Sequence, residues 1–185
     1  MTFPIQRMTL AVLATLSISA CAHEHGAHDH EHGAAADGAQ RATEAVAQLQ
    51  PTVGSQTQGT IRFVHDGDRI RIQGEVAGLE PNSDHGFHVH EKGDCSAPDA
   101  TSAGGHFHLP GQKHGDPARD DDHHHAGDLG NIHAGADGVA KVDLVLPQTQ
   151  LTLGDGPQNI LRRGLIVHKG KDDLHSQPTG DAGGR

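Results

Sequence analysis

Short alternating runs of apolar residues, each cut off by glycine, proline, asparagine or aspartate, restrict this chain to β-structure. In the first, Ala45, Ala47 and Leu49 alternate with other residues until Pro51 ends the run. Thr60–Val64 and Arg69–Gln73 flank His65-Asp66-Gly67-Asp68, which predicts a hairpin with one wet face. Val76–Leu79, Gly86–His90, Val139–Leu146 and Gly164–His168 supply the remaining apolar runs, with Val142, Leu144 and Leu146 on one side of theirs. A period of two belongs to a strand, whose successive side chains point to opposite faces. No helix longer than a turn or two is expected, and the Gly/His/Asp-rich region 93–136 reads as loop without a long strand. Composition agrees: 25 glycines suit turns, and with 4 Phe, no Trp and no Tyr the core must be a modest one of Val, Ile, Leu and Ala. Strands with two long loops indicate an antiparallel sandwich or barrel over residues 44–185.

The first 43 residues read differently. Arg7 precedes an apolar run, Met8–Ala20, too short for a comfortable membrane span and ending in small residues. Ile18-Ser19-Ala20-Cys21 has the pattern of a bacterial lipoprotein signal. Residues 1–20 are therefore expected to be a signal peptide and Cys21 to carry lipid, anchoring the protein to a membrane of the bacterial cell envelope, on its periplasmic face and in an oxidising compartment. Residues 21–43 form a linker in which His23, His25, His28, His30 and His32 sit among acids and small residues. Such a segment cannot build a core and reads as a disordered tract that captures metal. A net charge of −10 disfavours nucleic acid as a partner.

The chemistry is carried by histidine, of which there are 18. In His88-Val89-His90 the two imidazoles share one face of a strand while Val89 faces the core. His168 ends a second apolar strand. The intervening loop adds His106, His114, His125 and Asp128. Three histidines and one aspartate suit tetrahedral zinc, whereas His88, His90 and His168 with one shared imidazole suit copper. His65, His85, His133 and His175 read as turn or surface residues, and His108, His123 and His124 as solvated loop residues.

Seven segments extend this pattern: Gly86-Phe87-His88-Val89-His90-Glu91, Ser102-Ala103-Gly104-Gly105-His106-Phe107, Lys113-His114-Gly115, His125-Ala126-Gly127-Asp128-Leu129-Gly130-Asn131, Asp137-Gly138-Val139-Ala140, Leu165-Ile166-Val167-His168 and Gly180-Asp181-Ala182-Gly183-Gly184-Arg185. In this order they resemble the copper,zinc superoxide dismutases, in particular bacterial lipoprotein-type members with a histidine-rich extension. The resemblance implies an eight-stranded Greek-key barrel that converts superoxide to dioxygen and hydrogen peroxide. It implies copper on His88, His90, His106 and His168, and zinc on His106, His114, His125 and Asp128. His106 would bridge the metals and take part in catalysis, Asp172 would hydrogen-bond one histidine from each side, and Arg185 would draw in the superoxide anion. By charge and position on the same loop, Lys169 and Lys171 are further candidates for that attraction. The family is itself a standard example of sandwich architecture and of electrostatic steering. A homodimer is among the oligomeric states open to it.

The resemblance departs at the end of the sequence. The family continues past its arginine with a cysteine-bearing last strand, whereas this chain stops at Arg185. The expectation is a barrel that lacks its last strand, with ladder groups exposed on its neighbours. Cys95, which matches the first cysteine of the family's disulfide, is expected to be unpaired; such a bond is worth about 2–4 kcal/mol. An alternative reading accompanies this departure: a non-enzymatic lipoprotein that buffers or donates copper and zinc.

Overall fold

The computed structural model describes residues 42–119 and 124–185. Residues 1–20, expected to be a signal peptide, Cys21, the tract His23–His32 and His123 lie outside the described residues. Seven strands are present among those described: β1 (Glu44–Leu49), β2 (Gln58–Asp66), β3 (Arg69–Ala77), β4 (Asp84–His90), β5 (Asp128–His133), β6 (Ala140–Pro147) and β7 (Gly164–Val167). One 3-10 turn, Thr101–Ala103, is the longest helical segment among them. The strands form two antiparallel sheets, ordered β1-β2-β3-β6 and β5-β4-β7. Pairing of β3 with β6, across the intervening β4 and β5, gives the Greek-key connection, and the all-β class expected from alternation holds.

Alternation also explains where the core sits. Ile61 and Phe63 on β2, and Ile70 and Ile72 on β3, point inward, while Arg62 and Arg71 point out. They meet Phe87 and Val89 of β4, Leu129 and Ile132 of β5, and Val142 and Leu146 of β6. Each fully buried Ile or Phe side chain contributes about 1.5–3 kcal/mol over leaving it exposed. The hairpin is tighter than its sequence suggests: Asp66 pairs with Arg69, so the turn is only Gly67-Asp68, with Gly67 at φ 63°. Glycine tolerates that left-handed conformation.

One expectation fails. Region 93–136 does contain a strand, β5, and it carries part of the site. Leu129 and Ile132 are both buried although three residues apart, because Gly130 lies at φ 86° and the register with β4 shifts between Gly86 and His88. The bulge removes the period of two on which the sequence reading depends.

At the other end of that sheet, among the described residues, β7 pairs with β4 alone, as β1 pairs with β2 alone. A cleft of about 310 Å³, lined among others by Ala45, Ala47, Phe63, Val89 and Leu165, runs between them. Cys95 is exposed and makes no disulfide with any described residue.

Candidate metal centre

Four pieces of chain meet at one buried point. His88 and His90 project from the same face of β4 and are completely buried, with Val89 turned into the core. His106 is brought beside them by an antiparallel bridge to His90. The next residue completes a three-way main-chain lock. Phe107 N–H donates to Val89 O at 2.8 Å, Gly127 N–H to Phe107 O at 2.7 Å, and Val89 N–H to Gly127 O at 2.8 Å. No side chain fits at 127, since a Cβ would lie 2.2 Å from Val89 O. The lock ties the loops of His106 and His125 to β4, and Asp128 opens β5. His168 follows β7, its N–H donating to Gly86 O at 2.8 Å.

Hydrogen-bond partners assign the tautomers, and the tautomers sort the donors into two sets. His88 Nε2–H donates to Asp172 Oδ2 at 2.6 Å, leaving Nδ1 a bare lone pair, and that atom is buried without a partner. His90 Nδ1–H donates to Gly104 O at 3.0 Å and His168 Nδ1–H to Gly183 O at 3.2 Å. Their Nε2 lone pairs therefore face each other at 3.4 Å. His106 Nε2 is likewise buried and unpartnered. Four imidazole lone pairs, from His88, His90, His106 and His168, thus converge within 4.8 Å of one another.

On the far side of His106 the second set converges on one carboxylate oxygen. Asp128 Oδ1 lies 3.0 Å from His106 Nδ1, 3.1 Å from His114 Nδ1 and 3.6 Å from His125 Nδ1, while Oδ2 accepts from the N–H of Gly115 and His125. His114 Nε2–H is already committed to Asp172 Oδ1 at 3.0 Å. A neutral His114 would therefore aim a lone pair at an anionic oxygen, a repulsive contact unless a cation lies between them. A divalent cation relieves both collections of facing lone pairs, and the all-nitrogen and three-nitrogen, one-oxygen sets suit copper and zinc respectively. The donors fit the metals, and the buried, unpartnered nitrogens are the observation that says so.

Protonation follows from the same geometry. Burial, with nearby imidazoles and Arg185 adding to it, pushes His90 down to about 2. Burial is also the main cause for His106 and His168, each lowered to about 4. His114 goes the other way: burial opposes its charge, but hydrogen bonds to Asp128 and Asp172 prevail and raise it to about 9. Both carboxyls stay well below the usual range, because their histidine partners outweigh the burial that would raise them. Three imidazoles that stay neutral when folded would bind protons in the unfolded chain below 6.5. The unfolded state then holds more protons, so the melting temperature of metal-free protein should fall as pH drops from about 6.5 to about 4. His114 acts oppositely, its contribution being lost between about 6.5 and about 9. Calorimetry of chelator-treated protein across that range checks both limbs.

Arg185 closes the rim. Its Nη1 donates to Ala100 O at 2.8 Å and its Nη2 to Gly104 O at 2.6 Å, the carbonyl that also accepts from His90. Lys169 N–H to Gly184 O and Gly170 N–H to Ala182 O fold the preceding loop back on itself and hold the arginine there. Lys171 instead pairs with Asp84 at 3.1 Å.

All eight residues picked from the sequence for the centre, together with Arg185, come together. His108 is exposed and His124 half-buried, consistent with loop positions. His85 is a correction: read as a turn or surface residue, it is buried, its Nδ1 within 2.8 Å of His168 O and its Nε2 within 2.7 Å of Ser83 Oγ. Its partner lies 83 residues away, so no local pattern could reveal the contact. Asn131 and Gln177, which also bond into the centre, escaped notice for the same reason.

Residues 57–185 match a family model described as copper/zinc superoxide dismutase. The chain is 46% identical over 136 residues to the extracellular superoxide dismutase [Cu-Zn] of Brugia pahangi, a match that takes in 69% of this chain. It spans 65% of the length of that curated relative. The crystal structure of the clock protein EA4 superposes with a TM-score of 0.68 at 36% identity, covering 77% of this chain and 89% of that one. The family match over most of the described residues, falling on a fold and donor sets of the right kind, places this chain in the copper/zinc superoxide dismutase family, with copper and zinc as its cofactors.

Proposed function

We propose that the protein disproportionates superoxide to dioxygen and hydrogen peroxide, with copper held by His88, His90, His106 and His168 and zinc by His106, His114, His125 and Asp128. The observation that carries this reading is the position of His106, whose two ring nitrogens belong to different donor sets. Copper supplies one-electron exchange between two oxidation states, and zinc a redox-inert charge beside it. The remaining work falls to the chain. Each pair of superoxide ions converted consumes two protons, and His106 Nε2, in the copper-side set, is an atom able to hold one and give it up. Asp172 accepts from His88 and His114 at once, so it orients one imidazole of each set. Burial of the seven donor residues excludes bulk water from them.

Arg185 is the residue that attracts the anion, since its charge is felt at both His90 and His168. Arg185→Ile should lower kcat/KM on the order of tenfold and flatten its decline with ionic strength. Pulse radiolysis at several salt concentrations measures both.

The working location is the bacterial cell envelope: residues 1–20 as a cleaved leader, Cys21 as the lipid-bearing residue, and residues 44–185 as the catalytic domain. The extracellular relative supports export of this kind. In the linker, His23, His25, His28, His30 and His32 capture metal for the site.

The test of the activity is superoxide turnover by protein loaded with both metals. Rates well above those of the same concentration of free copper support the enzyme. Full loading with no excess turnover would leave the alternative, a copper and zinc buffer or donor.

A further inference from the structure

Asp172 can bridge the two donor sets only if its own backbone and that of His114 are held in register, and neither lies in a regular element. Two side-chain amides do this in the same way. Asn131, on β5, donates from Nδ2 to Asp172 O at 3.0 Å and accepts from Asp172 N–H at Oδ1 at 2.8 Å. Gln177 donates from Nε2 to His114 O at 2.8 Å and accepts from His114 N–H at Oε1 at 3.0 Å. Each amide pairs with both main-chain groups of a single residue, as a neighbouring strand would. Space around the bridge is tight: a Cβ at Gly180 would lie 2.1 Å from Asp172 Oδ1 and 2.9 Å from His114 Nε2. Only glycine therefore fits at position 180 beside the bridge.

We propose that Asn131 and Gln177 are paired positioning residues that substitute for strand neighbours around the Asp172 bridge, with unequal reach. Asn131 fixes Asp172 and so governs the ring orientation of both His88 and His114. Gln177 fixes His114 alone and governs only the zinc side. This inference rests on the assignment of His88 and His114 to the two metals.

The asymmetry makes it testable. Asn131→Leu and Gln177→Met keep side-chain size and remove both hydrogen bonds. Zinc affinity, measured by competition with a chromophoric chelator, should fall about 10- to 100-fold in each. The copper electron paramagnetic resonance spectrum, recorded with zinc saturating, should change for Asn131→Leu and match the parent for Gln177→Met. Asn131→Ser truncates the same amide without apolar bulk and repeats the comparison if leucine prevents folding. His175→Ala, an exposed change in the Gln177 loop, serves as control and should leave both readouts at parent values. Zinc affinity within twofold of the parent in either amide variant, or the same copper spectral change in both, overturns the proposal. A His114→Ala variant that binds zinc as the parent does would instead overturn the metal assignment itself.

Discussion

Replacing His106 with alanine should reduce superoxide turnover by about 10²–10⁴-fold, the range expected when a positioned proton-holding group is lost. It should also weaken copper and zinc binding together. The double effect follows from its two nitrogens, Nδ1 facing Asp128 and Nε2 unpartnered within the copper-side set. Asp128→Ala provides the contrast. It removes the oxygen on which three Nδ1 atoms converge, so zinc binding should fail while the four copper-side imidazoles remain. Metal analysis after gel filtration, paired with turnover, separates the two outcomes. Loss of a single metal in His106→Ala would mean that the two sets do not share this residue.

The second large effect is on stability. Without metals the centre keeps the Nε2 lone pairs of His90 and His168 opposed across 3.4 Å. Ligands that bind only the folded state stabilise it in proportion to the logarithm of their saturation, about 4 kcal/mol at a thousandfold excess over Kd. For a domain of this size that is roughly 8–16 °C in melting temperature for each metal. Removing both with a chelator should lower the transition by at least that much, and zinc added back alone should restore part of it. An unchanged melting temperature after complete removal would contradict the burial of these donors in a single cooperative unit.

Much of this was legible in the sequence, and what was not has a physical explanation. Alternation in β2 and β3 was readable because one face of each strand packs on the core and the other meets water. His88 and His90 were readable as a clamp for the same reason, with Val89 between them. β5 was hidden because the bulge at Gly86–His88 and the left-handed Gly130 break the period that betrays a strand. The lysines illustrate a different limit. Lys171 was a candidate for drawing in the anion, yet it is engaged with Asp84, a partner 87 residues away. Contacts between distant main-chain groups, as at His85, Asn131 and Gln177, leave no trace in composition or spacing.

The central claim is that one imidazole serves two metals of different kinds. It is tested most directly by a crystal structure of the copper- and zinc-loaded protein with anomalous data collected at both absorption edges. The account predicts a copper peak bonded to His88 Nδ1, His90 Nε2, His106 Nε2 and His168 Nε2. It predicts a separate zinc peak bonded to His106, His114 and His125 through Nδ1 and to Asp128 Oδ1, with each bond near 2 Å. A single metal in the centre, or two metals with His106 bonded to only one of them, would contradict it.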